Sequence, residues 1–116
     1  MKISGIVCEY NPFHNGHRYH IEETRKNGAT HIIAVMSGNF VQRGEGAVFS
    51  KWDRAETALE NGVDLVLENP LVFATASAQH FAFGGVSVIK GLGCVNELGF
   101  GSENGNIEEL LKYRMF

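Results

Sequence analysis

At 116 residues, with 44% apolar and 20% charged side chains, the chain has the size and make-up of one globular domain and excludes a disordered or fibrous chain. No apolar stretch approaches the ~18 residues of a membrane span. The opening MKISGIVCEY runs into Glu9 and a polar loop instead of a small-residue cleavage site, so a cytoplasmic protein is expected. A net charge of −3 gives the whole chain no general attraction for nucleic acid, and the bases are concentrated in the first half. Any basic surface is therefore expected around Arg18, Arg25, Lys26, Arg43, Lys51 and Arg54.

In chain order, KISGIVCE (2–9) reads as a short strand whose continuous apolar core suits burial on both faces, hence a central one. Residues 16–26 have a helical pattern, with Glu22 and Glu23 ahead of Arg25 and Lys26 as the helix dipole prefers, and Asn27-Gly28 stops it. THIIAVM (30–36) is a second buried strand, and the glycine-rich SGNFVQRGEGAVFS (37–50) is a long loop of the kind that carries function. SKWDRAETALENG (50–62) predicts a serine-capped helix with Trp52, Ala55, Ala58 and Leu59 as its apolar face. VDLVLE (63–68) is a third strand broken at Asn69-Pro70. Residues 77–90 predict a helix packed closely on a sheet, interrupted in propensity by Gly84-Gly85. CVNELGFGSENG (94–105) is a fourth strand entering a glycine-rich turn, and NIEELLKYRMF (106–116) is a last amphipathic helix capped by Asn106. Cys8 and Cys94 sit far apart in apolar segments, which suits buried free thiols better than a disulfide or metal knuckle.

Strand and helix alternate with connections too long for hairpins, so the fold class is α/β: a mostly parallel sheet with helices on both faces. Ligands of such folds bind beyond the carboxyl ends of the strands. There the chain places EYNPFHNGHRYH (9–20), which holds three of its five histidines, together with the loop after the second strand and FGSENG after the fourth. Gly16 and His17 fall at the predicted start of the first helix, where unpaired amides and the helix dipole favour an anion such as phosphate. Gly16 lets a phosphate or ribose approach the backbone. His14 before the helix and His17 in its first turn can both donate to that anion, and in protonated form offset charge building on phosphorus. His14, His17 and His20 as a zinc site, or as plain polar surface, are the competing readings. GGVSVIKGLG (84–93) does not fit G-x-G-x-x-G and reads as packing, and Cys8 reads as a core thiol rather than a nucleophile.

HNGH (14–17) resembles the H-x-G-H phosphate motif of the nucleotidyltransferase superfamily. With GIVCEYNPFHNGHRYH, VMSGNFVQRGE, KWDRAETALENGVDLVLE and FGSENG, the chain from Lys2 to Glu109 resembles the bacterial tRNA(Met) cytidine acetate ligases. The resemblance implies a Rossmann-like nucleotidyltransferase core and an ATP-dependent, coenzyme-A-independent ligase. Such an enzyme activates acetate as acetyl-adenylate and acetylates N4 of the wobble cytidine of elongator tRNA(Met). It implies an ATP-binding run of Val7, Cys8, Glu9, Tyr10, Asn11, Pro12, Phe13, His14, Asn15, Gly16, His17, Arg18, Tyr19 and His20, a further nucleotide contact at Gly101, and catalytic roles for His14 and His17. Magnesium is expected with the triphosphate, without an assignable carboxylate. Arg43 is placed on triphosphate, RNA or solvent alike, and Lys51 and Arg54 on helix surface. Gly46 and Asn69 depart from the family's usual proline and leucine. Family members run to several hundred residues, so residues 1–116 are expected to be the N-terminal part of the ATP-binding domain. The family's second phosphate-binding segment and much of its tRNA-binding surface lie beyond the equivalent of Phe116. A generic adenylyl- or cytidylyltransferase acting on a phosphorylated small molecule, and a non-catalytic nucleotide-binding module, are the alternatives.

Overall fold

The computed structural model describes residues 1–39, 46–70, 78–100 and 111–114. The elements are β1 (Ile3–Cys8), α1 (Asn15–Lys26), β2 (His31–Ser37), α2 (Lys51–Glu60), β3 (Leu65–Asn69), α3 (Ala78–Leu92), β4 (Glu97–Phe100) and β5 (Leu111–Arg114). They form one five-stranded sheet in the order β3-β2-β1-β4-β5, with β1 to β4 parallel and β5 antiparallel to β4. The expected α/β architecture is therefore present, with β1 at its centre.

Alternation along β1 and β2 divides the core. Ile6, Cys8, Ile32, Ala34 and Met36 pack on one face with Ile21 of α1 and Ala58 of α2. Val7, Ile33 and Val35 pack on the other with Ile89 of α3. Both faces are thus covered, which is why these strands are written as unbroken apolar runs. α1 and α2 each end at an Asn-Gly pair, the glycine taking φ +104° at Gly28 and +110° at Gly62, where a side chain would be strained.

Close contact selects glycine at Gly85 of α3 and at Gly5 of β1, which faces that helix. A Cβ on Gly85 would stand 2.5 Å from Val7 Cγ1, and one on Gly5 would stand 2.8 Å from Ile89 Cδ1. The helix is continuous through Gly84-Gly85 because this close seat on β1 outweighs the lost propensity.

Four expectations are corrected. Leu111–Arg114, assigned above to a final helix, is a strand pairing Leu111 with Phe100 and Tyr113 with Leu98. The open edge of β4 offers unpaired backbone groups, and pairing them overrides a weak helical preference. Residues 106–110, with the proposed cap Asn106, lie outside the described residues. On α2, Trp52 is 74% and Leu59 47% exposed, while Arg54 and Ala58 are buried. Cys94 is exposed and only Cys8 is buried. Finally, among the described residues the first-half bases do not make an open basic surface. Arg18 pairs with Glu22, Arg25 with Asp64, Lys26 with Glu23 and Lys51 with Glu68, and Arg54 is internal.

The seat of α3 gives a direct test. Gly85→Ala should destabilise the fold by about 1–3 kcal/mol through overpacking against Val7. Gly91→Ala, where nothing lies within 4 Å, should be neutral or stabilising by up to ~1 kcal/mol. Urea titrations of the two variants read the difference, and equal effects would mean that the close approach is not what selects glycine.

Candidate functional site

The site is the turn that joins β1 to α1. Strand order reverses direction at β1, with β2 on one side and β4 on the other, so the crevice beyond the carboxyl end of β1 is the topological switch point. The chain leaves Cys8 through Glu9, Tyr10, the cis Asn11-Pro12 bond and Phe13, and enters α1 at its N-cap, His14. Tyr10 takes φ +51° with its ring buried, an unusual conformation for an aromatic residue and one that surrounding packing must hold. That packing is visible: the Tyr10 ring meets Phe13 edge-on at 4.9 Å and His17 at 4.8 Å between centroids.

His14 and His17 form a reciprocal capping box. His14 Nδ1 accepts from the Gly16 amide at 3.0 Å, and His17 Nδ1 accepts from the His14 amide at 3.1 Å. The two rings stack at 3.7 Å with 21° between their planes. Serine and glutamate ordinarily do this work. Imidazoles do it here with one nitrogen each, which fixes the neutral tautomer and leaves each ring a proton on Nε2 to offer. A carboxylate in either place would have brought negative charge to a polyphosphate site.

Burial holds the His17 pKa down at about 4, and His14 and His20 beside it press in the same direction. His17 is therefore neutral near pH 7. Of the two ways in which His17 was expected to serve an anion, donation is favoured over positive charge: desolvation at a residue only 7% exposed opposes the cation, and protonating Nδ1 would also break the cap. His17 acts as a neutral Nε2–H donor.

The rest of the expected ATP-binding run separates into groups. Tyr10, Phe13, His14, Gly16 and His17 are brought together around the cap. Val7 and Cys8 point to opposite faces of the sheet, and burial pushes the Cys8 thiol far above the range in which it forms thiolate, consistent with a core residue. Glu9 presents its carbonyl to Arg54. Asn11 Oδ1 accepts from the Val48 amide at 2.7 Å, tying the turn to the segment before α2. Pro12 is exposed, and Asn15 is exposed at the first helical position. Arg18 and Tyr19 stand on the outer side of α1, away from the buried His17–His20 side, with Arg18 held by Glu22 at 3.2 Å. His20 is buried one turn further along, beside Ser4, Thr24 and Leu98. Gly101 and Arg43 lie outside the described residues, although β4, which Gly101 follows, pairs with β1 as far as Phe100 opposite Val7.

Among the described residues no group of three His, Cys, Asp or Glu side chains is placed to hold a metal ion. The zinc reading of the histidines is not supported, since His14 and His17 spend Nδ1 on backbone amides and His20 faces the sheet. A cavity of about 380 Å³ opens beside the turn, lined by Pro12, Phe13, Phe49, Asp53, Arg54 and Thr57. Its aromatic walls and the Asp53 carboxylate make it a poor seat for polyphosphate.

Sequence reasoning missed Arg54. Its side chain is 2% exposed. Nη1 donates to the carbonyls of Glu9 at 2.7 Å and Ser37 at 3.0 Å, Nε donates to that of Phe49 at 3.0 Å, and Nη2 donates to that of Gly38. The available signal was its place on α2 next to Ala55 and one turn before Ala58, a run of small residues that marks a helix face pressed on a sheet. Trp52 drew attention to the wrong side.

An α/β sheet with a histidine-capped helix following its central strand defines a nucleotidyltransferase-type core. The chain matches the family described as HIGH Nucleotidyl Transferase over residues 1–116, and it belongs to that family. It is 55% identical over 113 residues to a Clostridium tetani tRNA(Met) cytidine acetate ligase, covering 97% of this chain and 28% of that protein. It is 61% identical over 108 residues to the Geobacillus protein of the same name, covering 92% and 27%. Among solved structures, Thermotoga maritima TmcAL bound with alpha-thio ATP superposes with a TM-score of 0.84 at 57% identity, covering 93% of this chain and 26% of that one. The chain thus spans about a quarter of the length of these relatives.

The neutral, buried state of His17 carries a pH signature. Because its pKa lies near 4 in the fold and near 6.5 when free, the unfolded chain holds the extra proton between those values. Stability from this group is complete above about pH 6.5, falls as pH drops toward 4 and levels off below. The loss should be on the order of 1–2 kcal/mol once solvent screening at the partly open ring is allowed for. His17→Asn keeps an acceptor for the His14 amide but cannot titrate. The difference between the two proteins' urea stabilities at pH 7 and pH 4.5 should show the loss in the wild type alone.

Proposed function

We propose that this chain is the nucleotide-activating part of a tRNA(Met) cytidine acetate ligase working in the cytoplasm, residues 1–116 forming the N-terminal part of its ATP-binding domain. The observation that carries the reading is the stacked His14–His17 cap at the switch point, in a chain 55% identical to a protein of that name. ATP lies across the carboxyl ends of β1 and β4, with its phosphates at the start of α1. Within the run from Val7 to His20, the residues gathered around the cap supply its site, and Gly101 adds the further contact that the family resemblance implies. Binding of alpha-thio ATP by the Thermotoga maritima protein supports an ATP-type ligand for this fold.

The chemistry follows from what neutral donors can do. An acetate oxygen attacks the α-phosphorus and the bond to the pyrophosphate leaving group breaks, giving acetyl-adenylate. The Nε2–H groups of His14 and His17 hydrogen-bond the phosphate oxygens, strengthening as charge builds on them, without a protonated ring. Gly16, lacking a side chain, allows the phosphate to approach the helix amides. The cytidine N4 amine then attacks the acetyl carbonyl, loses a proton, and AMP departs. With the described first-half bases ion-paired or buried, most of the electrostatic hold on elongator tRNA(Met) belongs to other parts of the protein.

The complete gene product, incubated with ATP and acetate, should release pyrophosphate in an acetate-dependent manner, and tRNA(Met) should gain N4-acetylcytidine without coenzyme A. His14→Ala and His17→Ala should each lower that release by about 10²–10³-fold, the usual loss for one transition-state donor. Release driven by a phosphorylated alcohol and not by acetate identifies a generic nucleotidyltransferase instead. Nucleotide binding with no release under any of these conditions identifies a non-catalytic module.

A further inference from the structure

We infer that Arg54 is a positioning residue that sets the height of the His14–His17 pair by bolting the β1 turn to the end of β2 and to the segment before α2. The inference rests on reading that pair as the phosphate donors, but its geometry can be tested without nucleotide.

Four carbonyls converge on one guanidinium, and all come from the edge where the site lies. Glu9 directly follows β1, Ser37 ends β2, Gly38 follows it, and Phe49 precedes α2. Carbonyls at the carboxyl ends of parallel strands point outward past their last ladder bond and need donors. Arg54 fills that need for two neighbouring strands at once. Its four described hydrogen-bond acceptors are all backbone carbonyls, while the charges of Glu9 and Glu68 favour its cation from nearby. The route to the histidines is short. Glu9 is bonded to Tyr10, which holds the positive φ, and the Tyr10 ring lies edge-on to His17. Asn11 makes a parallel tie through Val48. Lysine cannot replace this arrangement, since its ammonium is a single point with three donors, whereas the planar guanidinium spreads its donors across the carbonyls.

The test is histidine NMR on the complete gene product without ligand. Wild type should show His17 titrating near 4 and both rings protonated on Nε2. In folded Arg54→Lys, the turn should lift. His17 should titrate at least one unit higher, toward 6.5, and its ring should become a mixture of tautomers. A folded Arg54→Lys with His17 unchanged would overturn the inference, because a purely structural role lowers the melting temperature without touching the folded-state titration. Should Arg54→Lys not fold, wild-type hydrogen exchange decides the matter. The Arg54 Nε–H and the His14 and Gly16 amides should then exchange through one shared opening below global unfolding, and separate openings would overturn the inference. Failure of ATP binding in the wild type would count against the proposed function and leave this geometry standing.

Discussion

The whole arrangement depends on how the first turn of α1 is satisfied. A strand buried on both faces must turn into a helix within six residues, Glu9 to His14, and the amides at the start of that helix need acceptors. An aspartate or glutamate is the easy solution, and it closes the helix start to anions. Two stacked imidazoles accept the same amide hydrogens while carrying no charge, and each keeps one N–H to spend. The helix is capped and remains receptive to phosphate. Both properties come from placing histidines three apart across a glycine and an asparagine.

Neutrality has a structural cause that reaches beyond the pair. His17 is packed against Tyr10 and Phe13, and that hydrophobic wall both excludes water and lowers the ring's basicity. Tyr10, which takes the left-handed backbone conformation, is part of the same wall through its ring contacts with Phe13 and His17. A site of this kind provides oriented dipoles, not net positive charge. Among the described residues the fixed cation nearest in the chain's logic is Arg54, and its donors are already committed to backbone.

What could be read from the sequence followed from local rules. Strands β1 to β4 are short apolar runs, α1 and α2 end where Asn-Gly pairs stop them, and the histidine at the helix start sits where a cap is needed. The close seat of α3 was foreseeable from glycines in a helical segment, and Val7 shows why. The failures required knowledge of a partner surface. Leu111–Arg114 is helical by pattern but pairs because β4 has an open edge. The inward face of α2 is set by where β1 and β2 end, which no periodicity in KWDRAETALE records, so a charged residue entered the interior while a tryptophan stayed out. The neutral state of His17 was not legible for the same reason: HNGH does not say what will be packed against its second histidine.

These elements amount to a division of labour. The apolar strands build a rigid floor, the turn above it carries the donors that face a ligand, and α2 supplies the means of holding one to the other. Such a turn cannot rely on the sheet alone, because ladder hydrogen bonds stop at Cys8 and Ser37 while the functional atoms lie several residues beyond. A side chain able to collect outward-facing carbonyls from adjacent strands extends the rigidity of the sheet past its last ladder bond. The extension reaches Glu9, and through Tyr10 it reaches His17. Donors held to a fraction of an ångström are the ones that can discriminate a developing charge from a resting one, so a buried cation serves the chemistry of the turn above it.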